Sequence, residues 1–411
     1  NKKPSGADGA DGAGAAAGED SGQAMRHWQD VCTALLSETP ASPPSAASTS
    51  LSSLSSVQEA IRRMVVAAPN AEALDFHHDA HGQLVSRLTY SQVWSKSTQL
   101  SLRIADSLVG GSGQTPVVCI ACRQGPSFLI AMIGSLLAAA SFAPLDPTFP
   151  PHRIHSMISQ LEGDDDDTGS SCPKREVVVV CDEGDSDIFI DRRPARRRGR
   201  PHNSLPVTVM ALDEDAILSG VSADDCPVPV CTEPGPGQEA SGVRGGCACC
   251  CIHFTSGTTS GGGRPNAVEA SHENILAWCR SKAQAQTLGD DSRVCVPSGH
   301  SFDPCCGDIL STLIIGGTVC MAPREVMLTQ MGSWLQSTRC SHVCSTPTIW
   351  SRNMLHCGPV SGVSSAPHLY PHLQCVSLGG EEMNDEICRY AVFSVSFPSS
   401  PSSPVCLQLT R

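Results

Sequence analysis

The chain has 411 residues, room for about two to three domains, and carries 28 Lys and Arg against 41 Asp and Glu for a net charge of −13. That balance excludes nucleic acid and anionic lipid as default partners, because phosphate-rich surfaces are bound by a surplus of Lys and Arg. An apolar share of 40% can build a sizeable core, and recurring apolar runs exclude a wholly disordered acidic chain.

Residues 1–55 are rich in Ala, Gly, Ser and Pro and read as a disordered leader, with one short helical stretch around Met25 to Leu36. Helical spacing of apolar residues begins at Val57. From Pro116 the pattern becomes strand, helix, strand. Strands are expected at Pro116 to Cys122, Glu176 to Asp182, Pro206 to Asp213, Cys247 to Phe254, Arg293 to Pro297, Thr318 to Ala322, His342 to Ser345 and Leu373 to Leu378. Helices are expected from Pro126 to Ala140, Pro151 to Leu161, Ser271 to Gln284, Pro304 to Ile315, Glu325 to Gln336, Pro347 to Leu355 and Glu381 to Tyr390. Such alternation predicts an α/β fold with mostly parallel sheets covered on both faces. The acidic run Asp164 to Asp167 and the basic run Arg192 to Arg200 mark disordered insertions near 163–175 and 183–246. The pattern is lost in 393–411, read as an irregular tail.

Many of the 22 cysteines sit in apolar runs, where Cys acts as a small hydrophobe, so a reduced, cytoplasmic protein is expected. The C-x-x-C pairs Cys119/Cys122 and Cys247/Cys250 have a zinc-like spacing. Both fall in strands, where residues three apart face opposite ways, so no metal site is expected. The apolar run Phe128 to Ala143 is shorter than the ~20 residues of a spanning helix and is interrupted by Gly134, Ser135 and Ser141. It reads as a buried helix rather than a membrane segment.

The strongest chemical signal is Thr255-Ser256-Gly257-Thr258-Thr259, where a strand enters a loop of hydroxyls and glycines. Such a loop can turn backbone N–H groups and hydroxyls onto a phosphate. It lacks the Gly-Lys-Ser/Thr of a Walker A loop, and the plain alternative is a surface hairpin.

This loop, with Ser271-His272-Glu273-Asn274 downstream, resembles the phosphate-loop motif of the adenylate-forming superfamily, which includes acyl-CoA synthetases, luciferases and nonribosomal peptide synthetase adenylation domains. Leu88-Thr89-Tyr90, Ala143-Pro144-Leu145-Asp146-Pro147, Phe302-Asp303, Ser345-Thr346-Pro347 and Leu378-Gly379-Gly380-Glu381 resemble further segments of that family in the same order. The resemblance is nearest to the beta-alanine-activating enzyme branch and its peptide-synthetase relatives. It implies stacked α/β subdomains over residues 56–392, the N-terminal region of such an enzyme, incomplete at the C-terminus. The implied reaction joins a carboxylic acid, by the match at Asp303 an amino acid, to AMP from ATP with Mg2+, then passes the acyl group to phosphopantetheine on a carrier-protein domain or to CoA.

By that resemblance Thr255 to Thr259 hold ATP phosphates, Gly379, Gly380 and Glu381 line the adenine and acyl pocket, and Asp303 meets the substrate's amino group. Structural alternatives stand beside two of these roles: Asp303 as an N-cap with Pro304 at N1, and Gly379-Gly380 as a tight turn. A lone His is more often structural, so His300 is given no role. The loop departs from the family at Asn266, which stands where a lysine is usual, with Arg264 nearby. A later aromatic-Gly-x-Thr-Glu segment, a ribose-binding aspartate and a C-terminal lysine are not found. The chain as written is therefore expected to be a weak or silent catalyst, its rivals being a binding remnant of the fold and a fatty- or aryl-acyl-CoA synthetase.

Overall fold

Two periodicities organise the fold: strands whose alternate residues feed two different cores, and helices with one or more apolar faces. The computed structural model describes residues 54–79, 85–108, 114–162, 175–190, 207–214, 217, 249–255, 265–354, 370, 372–381 and 406–409, all within the unit Ala47–Arg411. Nearly all of the expected leader, Ser256 to Thr259, Cys247, most of both insertions and the helix expected after Glu381 lie outside the described residues.

The first sheet has six strands: β3 (Val117–Ala121), β4 (Ser141–Pro144), β5 (Val177–Asp182), β6 (Thr208–Leu212), β7 (Cys249–Thr255) and β8 (Asn266–Ser271). Their spatial order is β6-β5-β3-β4-β7-β8, parallel except for the β7–β8 edge pair. The second sheet holds β1 (Glu72–His77), β2 (Val85–Thr89), β9 (Arg293–Cys295), β10 (Thr318–Met321), β11 (His342–Ser345), β12 (Cys375–Leu378) and β13 (Cys406–Leu409). Its order is β13-β12-β11-β9-β10-β1-β2, again parallel except at the β1–β2 edge. The expected α/β class with mostly parallel sheets is what the chain forms.

A shared core lies between the sheets. Val118 and Ile120 of β3 and Val319 and Met321 of β10 point into it, together with α1 (Val57–Ala67), α2 (Tyr90–Ser107), α3 (Pro126–Leu137), α6 (His272–Ala285) and α7 (Asp303–Ile315). The intervening Val117, Cys119 and Ala121 turn outward onto Ile154, Met157 and Ile158 of α4 (Pro151–Glu162). Cys320 turns outward onto α8 (Arg324–Thr329), α9 (Met331–Ser337) and α10 (Pro347–Met354), where Trp334 and Trp350 are buried. Burying each Val or Ile side chain contributes about 1.5–3 kcal/mol, so this two-way alternation fixes register as well as stability. It also sends Cys119 and Cys122 into different cores, which separates that C-x-x-C pair. The described cysteines from Cys119 to Cys375 are free thiols, and all of these but Cys249 and Cys344 are buried.

α3 is buried from Pro126 to Leu136, and no described helix is long and apolar enough to cross a membrane. α7 is likewise enclosed from Cys305 to Ile314 and ends at Gly316, whose φ of 99° is the left-handed conformation that glycine adopts without a Cβ clash. The helix expected over Glu325 to Gln336 is instead two helices. The break falls at Gln330, and the N–H of Met331 donates to Asn353 Oδ1 at 2.8 Å, an acceptor supplied by α10.

Two other expectations change. The second insertion does not begin at 183: a 3-10 turn, Glu183–Asp185, and α5 (Asp187–Ile190) follow β5 directly. Phe189 is buried in the outer core there, and Arg123 holds Asp185 at 3.0 Å. β6, the strand expected at Pro206 to Asp213, lies within that interval and extends the sheet. The tail, expected to be irregular, supplies β13, paired in parallel with β12.

Candidate active site

Parallel strands carry their C-terminal ends to a common edge, and in both sheets the loops leaving that edge hold the residues singled out by sequence. β7 ends at exposed Thr255, and the segment beyond it, Ser256 to Thr259, lies outside the described residues. Of the expected phosphate-binding set, only Thr255 is therefore placed, at a strand end as anticipated. Its partner across the hairpin is Asn266.

Gly379, Gly380 and Glu381 follow β12, next to the loop that follows β11. The N–H of Gly379 donates to the carbonyl of Ser345 at 3.2 Å, and Glu381 Oε2 accepts from the N–H of Thr348 at 2.9 Å. Gly380 has φ 83°, so the tight-turn requirement is real at this position. Hydrogen bonding from Thr348 holds the Glu381 carboxyl below its ordinary range, against a small opposing effect of burial. Glu381 thus serves the first turn of α10, while the two glycines bring bare backbone to the strand edge.

Asp303 opens α7. The N-cap position falls on Phe302, which makes no side-chain cap bond, with Pro304 next in the first turn. The N-cap alternative for Asp303 is therefore not realised. Its side chain is exposed and engages in no hydrogen bond or ion pair among the described residues. Phe302 beside it is 60% exposed, an unusual state for a large aromatic ring.

Facing the start of α7 is a pair that the sequence reading passed over. Cys251 and His253 alternate with Ile252 on β7, so they share the face that looks into the space between the sheets, while Ile252 packs in the outer core. Burial opposes the charged form of the His253 imidazole, but Cys251, Asp303 and the Ser301 backbone together raise it above its ordinary value. Cys251 is shifted the opposite way, towards its thiolate, by a hydrogen bond with Cys250 and by His253. The signal was a His in an otherwise apolar Cys-rich strand two residues before Thr255.

His300, four per cent exposed, sits three residues before Asp303. Its Nε2 lies 3.2 Å from the carbonyl of Leu145, just beyond β4, and its ring is tilted against Phe128 at 5.3 Å. A carbonyl accepts only, so Nε2 carries the proton of this imidazole. Burial, helped by the cation of Arg324, keeps His300 below its ordinary pKa and hence neutral.

The sequence matches the family of AMP-binding enzymes over residues 61–163 and 168–394. The chain belongs to this family. Among curated relatives it is 27% identical to the nonribosomal peptide synthetase agiA of Aspergillus flavus over 301 residues, 72% of this chain and 3% of that protein. It is 25% identical to the HC-toxin synthetase of Cochliobolus carbonum over 367 residues, 85% of this chain and 6% of that protein. The chain thus spans a small fraction of the relatives it matches.

Among solved structures, the N-terminal domain of FACL13 from Mycobacterium tuberculosis superposes with a TM-score of 0.61 at 16% identity, covering 82% of this chain and 73% of that one. The N-terminal subdomain of Klebsiella oxytoca NpsA, in complex with 3-hydroxybenzoyl-AMSN, gives 0.56 at 16% identity, with 83% and 70% coverage. These likenesses bear out the expected fold of an adenylate-forming enzyme. Membership of a ligase family that uses ATP, typically with Mg2+, is consistent with the chemistry the sequence motifs implied.

Proposed function

We propose that the chain serves in the activation of a small carboxylic acid, foremost an amino acid, as its acyl-adenylate, in the cytoplasm, with weak exchange activity of its own. The observation that carries the amino-acid choice is Asp303, an exposed carboxylate at the mouth of α7 committed neither to a cap nor to an ion pair among the described residues. A substrate ammonium would make a charge-assisted contact with it.

In the first step a carboxylate oxygen of the substrate attacks the α-phosphorus of ATP, the bond to the β-phosphate oxygen breaks, and pyrophosphate leaves. Backbone N–H groups and hydroxyls from Thr255 to Thr259 would offset the charge that gathers on the departing group. Gly379 and Gly380 would let the nucleotide approach bare backbone. In the second step a thiol sulfur, from phosphopantetheine on a carrier domain or from CoA, attacks the activated carbonyl and AMP leaves. Among the described residues no group of three His, Cys, Asp or Glu side chains is placed to ligate a metal. A magnesium ion on the phosphates would offset their negative charge.

The test is ATP–pyrophosphate exchange across panels of amino, aryl and fatty acids. Exchange driven by amino acids supports the reading. Exchange driven by fatty acids alone replaces it with an acyl-CoA synthetase, and ATP binding without exchange on any acid replaces it with a binding remnant of the fold.

A further inference from the structure

Among the described residues, Arg324 is a partly enclosed cation with one guanidinium nitrogen unpaired. Arg324, first residue of α8, has its Nη1 sealed from solvent and without a hydrogen-bond partner, and forms no ion pair with the other described residues. Left so, a desolvated guanidinium nitrogen is costly. Its placement looks built rather than accidental. A Cβ on Gly299 would come within 2.9 Å of both Cζ and Nη1 of Arg324, so the guanidinium occupies space that only glycine leaves at that position.

His300, next in sequence, adds a second unfilled polar atom. Leu145 takes the Nε2 proton, Phe128 fixes the ring, and Nδ1 is buried without a partner. Among the described residues, the charged groups acting on this imidazole are Asp146 and Arg324. Asp146 is turned to its own loop, where Oδ1 accepts from the N–H of Thr148 at 2.9 Å and from its hydroxyl at 2.6 Å. Leu145 follows β4, whose neighbour β7 ends at Thr255, and Arg324 follows β10. The pair therefore stands where the C-terminal edges of the two sheets meet.

We infer that Arg324, seated against Gly299 and backed by His300, is an oxyanion subsite that receives the pyrophosphoryl end of the nucleotide. This rests on the adenylation reading. A planar guanidinium matches two oxygens of one phosphoryl group, and partial enclosure of its Nη1 strengthens that pairing. His300 is the sensor of occupancy. An anion on Arg324 cancels the positive field that helps keep the imidazole neutral, so its pKa rises and Nδ1 gains a proton it can donate.

Calorimetric titration of the 411-residue protein with inorganic pyrophosphate, with ATP and with AMP tests this. Arg324→Gln should weaken pyrophosphate and ATP by at least about tenfold, the loss of one charged contact, and leave AMP within about twofold. Arg324→Lys should recover part of the loss, and Gly299→Ala should weaken pyrophosphate by displacing the guanidinium without removing its charge. Proton NMR of the His300 ring should show its pKa rising on pyrophosphate addition in the wild type and rising less in Arg324→Gln. A purely structural Arg324 would not couple to that signal. Wild-type binding of ATP and pyrophosphate unchanged in a folded Arg324→Gln protein overturns this inference and spares the adenylation reading. Loss of carboxylic-acid binding with pyrophosphate unaffected overturns it too, assigning the cation to the acid. Absence of ATP and pyrophosphate binding in the wild type overturns both.

Discussion

Glu381 accepts a hydrogen bond from the backbone N–H of Thr348 at 2.9 Å, although 33 residues separate them in sequence. The two are brought together because β11 and β12 are parallel neighbours whose ends coincide, Ser345 lying opposite Leu378. The carboxylate thereby takes one of the orphan donors at the start of α10 and joins the Gly379-Gly380 turn to that helix.

Glu381→Ala should free the Thr348 amide. Amide hydrogen exchange at Thr348 is expected to quicken, while Glu381→Gln, which keeps an acceptor, should preserve most of the protection. Because Glu381 is exposed, the effect on global stability should be small, within about 1 kcal/mol by denaturant titration. An unchanged exchange rate in the Ala variant would show that the contact does not persist in solution.

Lys282 of α6 and Asp308 of α7 form a buried pair in which Asp308 is fully enclosed and Nζ lies 2.5 Å from Oδ1. Burial raises the Asp308 carboxyl above its ordinary value, and Lys282 pulls it back. Lys282→Met should destabilise the protein by about 3–5 kcal/mol, because it leaves a buried carboxylate unpaired. Lys282→Met combined with Asp308→Leu should recover much of that loss in chemical denaturation. Equal stability of single and double variants would refute the pairing.

How far these relationships could be read in advance depends on whether their cause is local. The strands β3 and β5 and the largely apolar α3 announce themselves through composition, since nearly every residue is buried whichever face it takes. β8 does not: its residues 266–269 are exposed, and it is a strand only because β7 offers it an edge. α2 carried a readable signal, the Thr89 and Gln92 capping box, whose reciprocal bonds the structure contains. Asp303 and Gly379-Gly380 were legible as motif residues. Cys251 and His253 were not, because their significance lies in which strand ends and helices meet in space. The split at Gln330 depends on Asn353, a partner more than twenty residues away that no helical periodicity records.

His342 gives stability a defined pH dependence. Its Nε2 lies 3.0 Å from the carbonyl of Gln286 and its Nδ1 2.7 Å from the hydroxyl of Ser341, an arrangement that satisfies a neutral ring. Burial lowers its pKa from 6.5 to about 4. The unfolded chain then binds a proton that the folded chain refuses, so stability is full above pH about 6.5 and falls as pH drops towards 4. The contribution lost is about 3 kcal/mol at 1.36 kcal/mol per pKa unit. Denaturant midpoints between pH 7 and 4 should show this slope. His342→Gln should be less stable at pH 7 and show a shallower decline, and an unchanged slope in that variant would assign the pH dependence elsewhere.

Asp303→Asn isolates charge from architecture. The cap of α7 falls on Phe302 with no side-chain bond, so neither Asp nor Asn at 303 supplies a cap and the helix should tolerate the exchange. Thermal stability should therefore match wild type within about 0.5 kcal/mol, as for other exposed substitutions. Substrate preference should not. If Asp303 meets a substrate ammonium, removing its charge forfeits a charge-assisted contact of about 1.5–3 kcal/mol, a ten- to hundredfold fall in amino-acid-dependent exchange. The neighbouring His253 adds a further consequence, because Asp303 is one of the groups that raise its pKa. In Asp303→Asn the imidazole should titrate lower, visible by NMR even without substrate. ATP affinity should stay within about twofold, since nothing in this change touches Thr255 or Arg324. An amino-acid preference that survives the substitution, with His253 shifted as expected, would leave Asp303 an electrostatic neighbour of β7 and remove it from substrate recognition.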